Sequence, residues 1–158
     1  MSAPGADRPV VGAAAPDFSL PDHHGAPTTL SSLQGHRAAL VVFYPFAFSG
    51  ICTGELTGLR DGLDSFQNDQ VQVLAVSCDP MFSLRAWADE QGFGFPLLSD
   101  FWPHGAVASS YGVFDAALGR ADRGTFLIDS GGVVRWSVVT EPGQARDLQA
   151  YRDAIASL

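Results

Sequence analysis

The chain has two cysteines among its 158 residues, and Cys52 is the one placed for chemistry. It follows a short apolar run, Ala38–Tyr44, and precedes apolar residues that recur three and four positions apart. The run predicts a strand buried on both faces, and the recurrence predicts an amphipathic helix with Cys52 in its first turn. Unpaired N–H groups and the helix dipole favour a thiolate there. Cys52 is therefore predicted to be a reactive thiol, the alternative being an inert thiol of the core.

A larger thiolate fraction does not by itself account for the rate of an enzyme-catalysed reaction. Lowering the pKa of a cysteine by two units raises its thiolate fraction about 25-fold at pH 7, whereas enzymes accelerate reactions about a million-fold or more. Other groups must stabilise the transition state. Glu55 lies three residues after Cys52. It replaces the second cysteine of a Cys-x-x-Cys pair, which excludes thioredoxin-type dithiol exchange. Glu55 either satisfies free N–H groups of the first turn or belongs to a polar network near the site.

The second cysteine, Cys78, ends the next long apolar strand. Its simplest interpretation is a buried free thiol, and the alternative is a disulfide partner of Cys52. No metal site is predicted, because neither cysteine has metal-ligand spacing to any of the four histidines, His23, His24, His36 and His104. A cysteine–histidine hydrolase would need one of these histidines beside Cys52, and the sequence leaves that open.

The composition excludes several classes of function. The net charge is −8 and the chain has no lysine, which removes Schiff-base chemistry and a P-loop lysine. No basic run is present, so neither nucleic acid nor an anionic membrane is expected as a partner. The longest apolar stretch, residues 38–48, is far shorter than the ~20 residues that cross a bilayer. With no secretory signal visible, we expect one cytoplasmic domain, residues 1–158, with residues 1–10 flexible.

The remaining elements are predicted from periodicity and from turn residues. In chain order they are strands at 18–20 and 28–30, a helical turn at 31–33, a strand at 71–77, a helix at 81–91, a strand at 96–98, a helix at 104–111, a hairpin of 125–129 with 133–139, and a helix at 144–158. Alternating strands and helices that end in a hairpin indicate an α/β domain with a mixed sheet. Gly54, Gly58 and Gly62 predict a helix face that packs unusually close to its neighbour.

Pro45, Ser49 and Cys52 form the pattern Pro-x-x-x-Ser-x-x-Cys, which resembles the peroxiredoxin signature Pro-x-x-x-(Thr/Ser)-x-x-Cys. Further segments resemble the same family in the same order: 11–18, 76–87, 95–100, 111–113 and 123–129. Residues 46–52 and 99–107 are most similar to the AhpE-type one-cysteine peroxiredoxins of actinobacteria. The resemblance spans most of the chain and implies a thioredoxin-like fold with helices flanking the central sheet.

The resemblance also assigns roles to individual residues. It implies that Cys52 is the peroxidatic nucleophile and that the Ser49 hydroxyl binds the peroxide, although serine lacks the methyl group of the usual threonine. Pro45 would shield the thiol. Arg123 would stabilise both the thiolate and the developing oxyanion. From the residues alone, Ser49 could be only a helix cap, and Arg123 only half of a surface ion pair.

The implied function is a thiol-dependent peroxidase that reduces hydrogen peroxide and organic hydroperoxides through a Cys52 sulfenic acid, an antioxidant role in cell redox homeostasis. Cys78 matches no resolving-cysteine position of the family. Position 57, where a cysteine would form a Cys-x4-Cys pair with Cys52, is Thr57. An external thiol or small redox protein, of the mycothiol/mycoredoxin or thioredoxin type, would then be the reductant. The family implies a homodimer or a higher homo-oligomer and no cofactor. The alternatives are a peroxide sensor that relays oxidation from Cys52, and a two-cysteine peroxidase with Cys78 as the resolving thiol.

Overall fold

The computed structural model describes residues 7–158, so part of the segment expected to be flexible, residues 1–6, lies outside the described residues. The strands are β1 Ser19–Pro21, β2 Pro27–Thr29, β3 Ala38–Phe43, β4 Val71–Ser77, β5 Leu97–Ser99, β6 Phe114–Asp115, β7 Arg120–Ala121, β8 Arg123–Ile128 and β9 Val134–Thr140. The α-helices are α1 Gly50–Asp61, α2 Met81–Gln91, α3 Ala106–Ser110 and α4 Leu148–Ala156, with 3₁₀ turns at Leu30–Leu33 and Leu63–Ser65.

Five strands form the central sheet in the order β5-β4-β3-β8-β9. β3, β4 and β5 are mutually parallel, whereas β8 runs antiparallel to β3 and β9 antiparallel to β8. The predicted mixed α/β sheet is therefore confirmed, and its arrangement is that of a thioredoxin-like domain. β3 lies at the centre and all six of its residues are buried, as its unbroken apolar run predicts. The chain leaves this strand directly into the segment that carries Cys52.

The sheet separates two hydrophobic clusters. Leu40 and Val42 of β3 belong to one cluster, which also contains residues of α1, α2 and α4. Val41 and Phe43 belong to the other, which contains β1 and α3 residues. Alternate side chains of a strand point to opposite faces, so β3 is fixed from both sides. Because β3 is packed on both faces, its carboxyl end fixes the starting point of the loop that follows it.

Two predicted helices begin or end in the wrong place. α3 covers only five residues, because it starts after Gly105, whose φ is 72°, and does not include His104. α4 starts at Leu148 rather than at Gln144. The Asp147 carboxylate accepts hydrogen bonds from the N–H groups of Gln149 and Ala150 and so caps this helix. Residues 144–147 therefore lie outside the helix.

No helix of the described part is long and apolar enough to cross a bilayer.

The three glycines confirm the predicted close packing at Gly58 and Gly62 and contradict it at Gly54. A Cβ at Gly58 would lie 2.9 Å from Leu148 Cδ1, and one at Gly62, which ends the helix, would lie 3.1 Å from Arg152 Nη2. A Cβ at Gly54 would have no neighbour within 4 Å. Helix α1 therefore approaches α4 closely at its carboxyl-terminal half, whereas the space beside Gly54 is open.

Replacing Gly54 with alanine should stabilise the domain by up to about 1 kcal/mol, because alanine favours helix and meets no obstacle there. Urea unfolding at a constant m-value measures the change. Gly58→Ala is the matched control, and it should gain less, because the Leu148 side chain must move. Equal gains at both positions would contradict the packing described here.

Candidate active site

Cys52 is the third residue of α1, in its first turn, as predicted. Ser49 caps this helix with extended backbone angles, φ −67° and ψ 146°, and its Oγ accepts a hydrogen bond from the N–H of Cys52 at 3.3 Å. The Ser49 hydroxyl proton has no acceptor among residues 7–158, which leaves it free to donate. Cys52 itself is 2% exposed. Its thiol is thus held under a helix N-terminus with a hydroxyl donor three residues away.

Cys52 lines a pocket of about 340 Å³ that also holds Pro45, Ser49 and Arg123. Residues from three parts of the chain therefore converge here: the end of β3, the first turn of α1 and the start of β8. Most of the remaining wall is apolar or backbone and comes from Phe46, Gly50, Ile51, Pro142 and Gly143, with Arg120 as a further cation. None of the four histidines lines this pocket, so the cysteine–histidine hydrolase has no base beside Cys52.

The loop between Pro45 and Ser49 is held in place by Asp79. The Asp79 carboxylate accepts hydrogen bonds from the Ala47 N–H and from the Ser77 hydroxyl, each at 2.8 Å. The same loop contains Phe48 at φ 68°, a left-handed conformation that costs a bulky residue about 1–3 kcal/mol. The Asp79 bond to the neighbouring residue helps to offset that cost and sets where Ser49 and the helix begin. Sequence reasoning missed Asp79.

Arg123 and Glu55 form a buried ion pair. Arg123 Nε donates to Glu55 Oε1 at 3.0 Å, and Nη2 contacts Oε2 of the same carboxylate. The side chains are 6% and 8% exposed, so this is not a surface pair. A two-point contact of this kind fixes the plane of the guanidinium as well as its position. Glu55 therefore lies in a polar network and orients a residue of the Cys52 pocket.

A second arginine, Arg146, shares the Glu55 carboxylate, and no sequence motif pointed to this residue. Its Nε lies 2.9 Å from Glu55 Oε2, an ion-pair distance, although the N–H direction does not meet hydrogen-bond geometry. Its Nη1 donates to Thr125 Oγ1 at 2.9 Å and to Tyr151 Oη at 3.1 Å, and its Nη2 donates to the Phe43 carbonyl. Two guanidinium groups thus share one carboxylate, which leaves a net positive charge beside the pocket.

Cys78 lies apart from this arrangement. It follows β4, is 5% exposed and does not line the Cys52 pocket. Burial raises the pKa of the Cys78 thiol to about 12, and the nearby carboxylates of Asp100 and Asp79 act in the same direction. Both cysteines are free thiols. Cys78 is therefore placed as a protonated core thiol, the simpler of the two interpretations of the sequence.

The described residues contain no group of three or more His, Cys, Asp or Glu side chains that could hold a metal ion. Two histidines have structural contacts instead. The Nδ1 atom of His23 accepts a hydrogen bond from the Leu97 N–H at 3.1 Å, and burial lowers the pKa of this imidazole. The His104 ring nitrogens lie 3.0 Å from the Phe101 carbonyl oxygen and 2.7 Å from that of Gly119. These contacts tie loops to the domain.

The chain is similar to proteins of known families. The family model "AhpC/TSA family" matches residues 11–137. Alkyl hydroperoxide reductase E of Mycobacterium tuberculosis is 49% identical over 148 residues, which cover 94% of this chain and 97% of the relative. The chloroplastic 2-Cys peroxiredoxin BAS1 of Hordeum vulgare is 33% identical over 90% of this chain and 71% of its own. The crystal structure of peroxidoxin BcpB from Mycobacterium tuberculosis superposes with a TM-score of 0.82 at 32% identity, covering 95% and 96% of the two chains.

Proposed function

The chain belongs to the AhpC/TSA family of peroxiredoxins and is a thiol-dependent peroxidase, and on that premise we propose that Cys52 is its peroxidatic residue. The observation that supports this assignment is the convergence of Cys52, Ser49, Pro45 and Arg123 on one pocket. Cys78, the other thiol, is buried away from that pocket. A hydroperoxide that enters the pocket meets one sulfur nucleophile and the hydrogen-bond donors of Ser49, Arg120 and Arg123.

In the proposed reaction, the Cys52 thiolate attacks the terminal oxygen of the hydroperoxide. The O–O bond breaks, Cys52 becomes a sulfenic acid, and the leaving alkoxide or hydroxide takes a proton to become alcohol or water. The Ser49 hydroxyl donates to a peroxide oxygen while its Oγ keeps the Cys52 N–H. Arg123 stabilises the thiolate and then the charge that moves onto the leaving oxygen. Glu55 and Arg146 position Arg123, and Pro45 shields the thiol from water.

We further propose a one-cysteine cycle. A thiol whose pKa is raised to about 12 carries almost no thiolate at neutral pH, so Cys78 is a poor attacking group for a sulfenic acid. An external thiol or a small redox protein, of the mycothiol/mycoredoxin or thioredoxin type, then reduces Cys52. Phe46 and Ile51 line the pocket and are exposed, and the exposed Phe48 lies between them in the chain. Together they offer an apolar surface that such a reactant can approach.

We infer that the protein works in the cytoplasm as a homodimer and contributes to redox homeostasis. Phe82 and Trp102 are 74% and 80% exposed, and Phe101 lies beside Trp102 at 45%. Contiguous apolar side chains at the surface are typical of a contact between protein chains, and Phe101 and Trp102 are neighbours in the chain. Analytical ultracentrifugation of the reduced protein tests the dimer, and a monomer at micromolar concentration would contradict it.

Sustained turnover tests the one-cysteine peroxidase. Cys78→Ser should consume many equivalents of hydroperoxide per protein when a thiol reductant is supplied, at the wild-type rate. A two-cysteine cycle would stop or slow in this variant, because its resolving thiol would be missing. A sensor would take up one equivalent and then stop in both proteins.

Replacing Ser49 with alanine should slow the oxidation of Cys52 by about 10²-fold, because it removes a donor aimed at the peroxide. It should also cost about 1 kcal/mol of stability, since the cap of α1 is lost. Stopped-flow oxidation and urea unfolding measure the two effects separately. Ser49→Thr is the control that keeps the hydroxyl. If Ser49→Ala lowered only the stability, Ser49 would be a helix cap and nothing more.

A further inference from the structure

Arg120 is a pocket arginine without an anionic partner. Arg123 and Arg146 share Glu55, whereas Arg120 forms no ion pair with any carboxylate of residues 7–158. Its Nε is fully buried and has no hydrogen-bond acceptor in that part of the chain. Buried N–H groups of folded proteins nearly always have an acceptor, and those of a cation bind anions most strongly. The two Nη groups of Arg120 also donate to no described residue and, unlike Nε, are not fully buried, so their donors are available to a ligand.

The position of Arg120 shows which ligand could reach it. Arg120 lies on β7 and lines the same pocket as the Cys52 thiol. It also lines a neighbouring pocket of about 320 Å³. The acidic residues Asp115, Asp122 and Glu141 line that second pocket too, but none of them forms an ion pair with Arg120. A molecule that reacts at Cys52 thus occupies a pocket whose wall includes Arg120. The guanidinium is close to the reacting sulfur rather than on a remote surface.

The ring of Phe46 lies next to the Arg120 guanidinium. The guanidinium carbon lies 5.8 Å from the centroid of that ring, within cation–π range. This contact restrains the guanidinium, and the edge formed by its two Nη groups carries unpaired donors. That planar edge matches a carboxylate, which can accept two parallel hydrogen bonds. Since most of the surrounding wall is apolar, the preferred partner is a small apolar molecule with one carboxylate.

We propose that Arg120 is an anion-binding residue through which this peroxidase selects reactants that carry a carboxylate near their reacting group. The inference rests on the proposed role of Cys52 and adds a substrate class to it. Two kinds of reactant visit the pocket, the hydroperoxide and the thiol reductant, and either can bring the carboxylate. In the first case R–O–OH and the thiolate give the sulfenic acid and RO⁻, which is protonated to ROH. In the second, the sulfenic acid and R′–SH give a mixed disulfide and water, and a second R′–SH releases Cys52 and R′–S–S–R′.

The test compares matched reactants on the wild-type protein and on Arg120→Gln. For oxidation, the pairs are tert-butyl hydroperoxide with 3-hydroperoxy-3-methylbutanoate, and cumene hydroperoxide with its para-carboxylate. For reduction of the sulfenic acid, the pair is 2-mercaptoethanol with 3-mercaptopropionate. Quenched-flow with intact mass gives each second-order rate constant. The readout is the ratio of the carboxylate to the neutral reactant, so differences in intrinsic reactivity cancel between the two proteins.

We expect Arg120→Gln to lower this ratio by about tenfold for at least one carboxylate hydroperoxide or for the carboxylate thiol. The reaction that responds identifies the source of the carboxylate. Arg120→Lys should restore part of the ratio, because it keeps the charge without the planar fork. The control is Arg85→Gln, which makes the same change in net charge at an exposed residue of α2 outside both pockets.

Unchanged ratios for all three pairs would overturn the inference while leaving Cys52 as the peroxidatic residue. An equal fall in Arg85→Gln would also overturn it, because the effect would then come from overall charge. If Cys52 were not oxidised by any of the hydroperoxides, the proposed function and this inference would both fall.

Discussion

Replacing Cys52 with serine should lower the rate of hydroperoxide reduction by at least about 10⁴-fold, to the level of the reaction without protein. Serine has almost the same size, so the pocket of Ser49, Pro45 and Arg123 should remain intact. Its hydroxyl cannot form a sulfenic acid, because the step requires a sulfur that accepts oxygen. The measurement is consumption of hydroperoxide with a thiol reductant in excess.

Cys78→Ser is the matched control for this variant, since it makes the same chemical change at the other cysteine. It should keep the wild-type rate, because Cys78 is buried away from the pocket. Circular dichroism and urea unfolding establish that both variants are folded. A Cys52→Ser protein that still reduced hydroperoxide would place the nucleophile elsewhere in the chain.

Replacing Glu55 with glutamine should lower the free energy of unfolding by about 3–5 kcal/mol. The substitution keeps the shape of the side chain but removes the one negative charge that Arg123 and Arg146 share. Two guanidinium groups would then be buried with no counter-charge. Loss of the two-point contact should also free the plane of Arg123 and slow the oxidation of Cys52. Urea unfolding and stopped-flow oxidation measure the two effects.

The control for Glu55 is an ion pair in contact with solvent. Arg60 and Asp61 form such a pair at 2.9 Å, with side chains 33% and 68% exposed. Asp61→Asn should change the free energy of unfolding by less than about 1 kcal/mol, because water replaces most of what is lost. If Glu55→Gln cost no more than Asp61→Asn, the buried network would not be what holds Arg123.

Much of the fold could be predicted because its signals are local. The six buried residues of β3 form one unbroken apolar run. The helix Met81–Gln91 was predicted at its observed bounds, since its periodicity stops at Gly92, which adopts the left-handed φ of 67°. The position of Cys52 followed from the strand and the helix on either side of it. Each of these features is set by residues close together in the chain.

The features that sequence reasoning missed depend on contacts between distant residues. Arg146 reaches the Phe43 carbonyl across 103 positions, and a periodic pattern had placed it inside a helix. The Asp147 cap explains the error, because it starts α4 two residues after Arg146 and leaves that arginine outside the helix, in a segment without regular secondary structure. Asp79 holds Ala47 across 32 positions. The residues that we propose to react could therefore be predicted from the sequence, whereas most of those that position them could not.

The most direct test of a one-cysteine cycle at Cys52 is the intact mass of the protein after one equivalent of hydrogen peroxide in the presence of dimedone, which traps sulfenic acids. The measurement is made on the wild type and on Cys78→Ser. We predict one dimedone adduct, located on Cys52, in both proteins. A mass loss of about 2 Da in the wild type, the two hydrogens released by a disulfide, with an adduct only in the variant, would contradict the account and make Cys78 the resolving thiol.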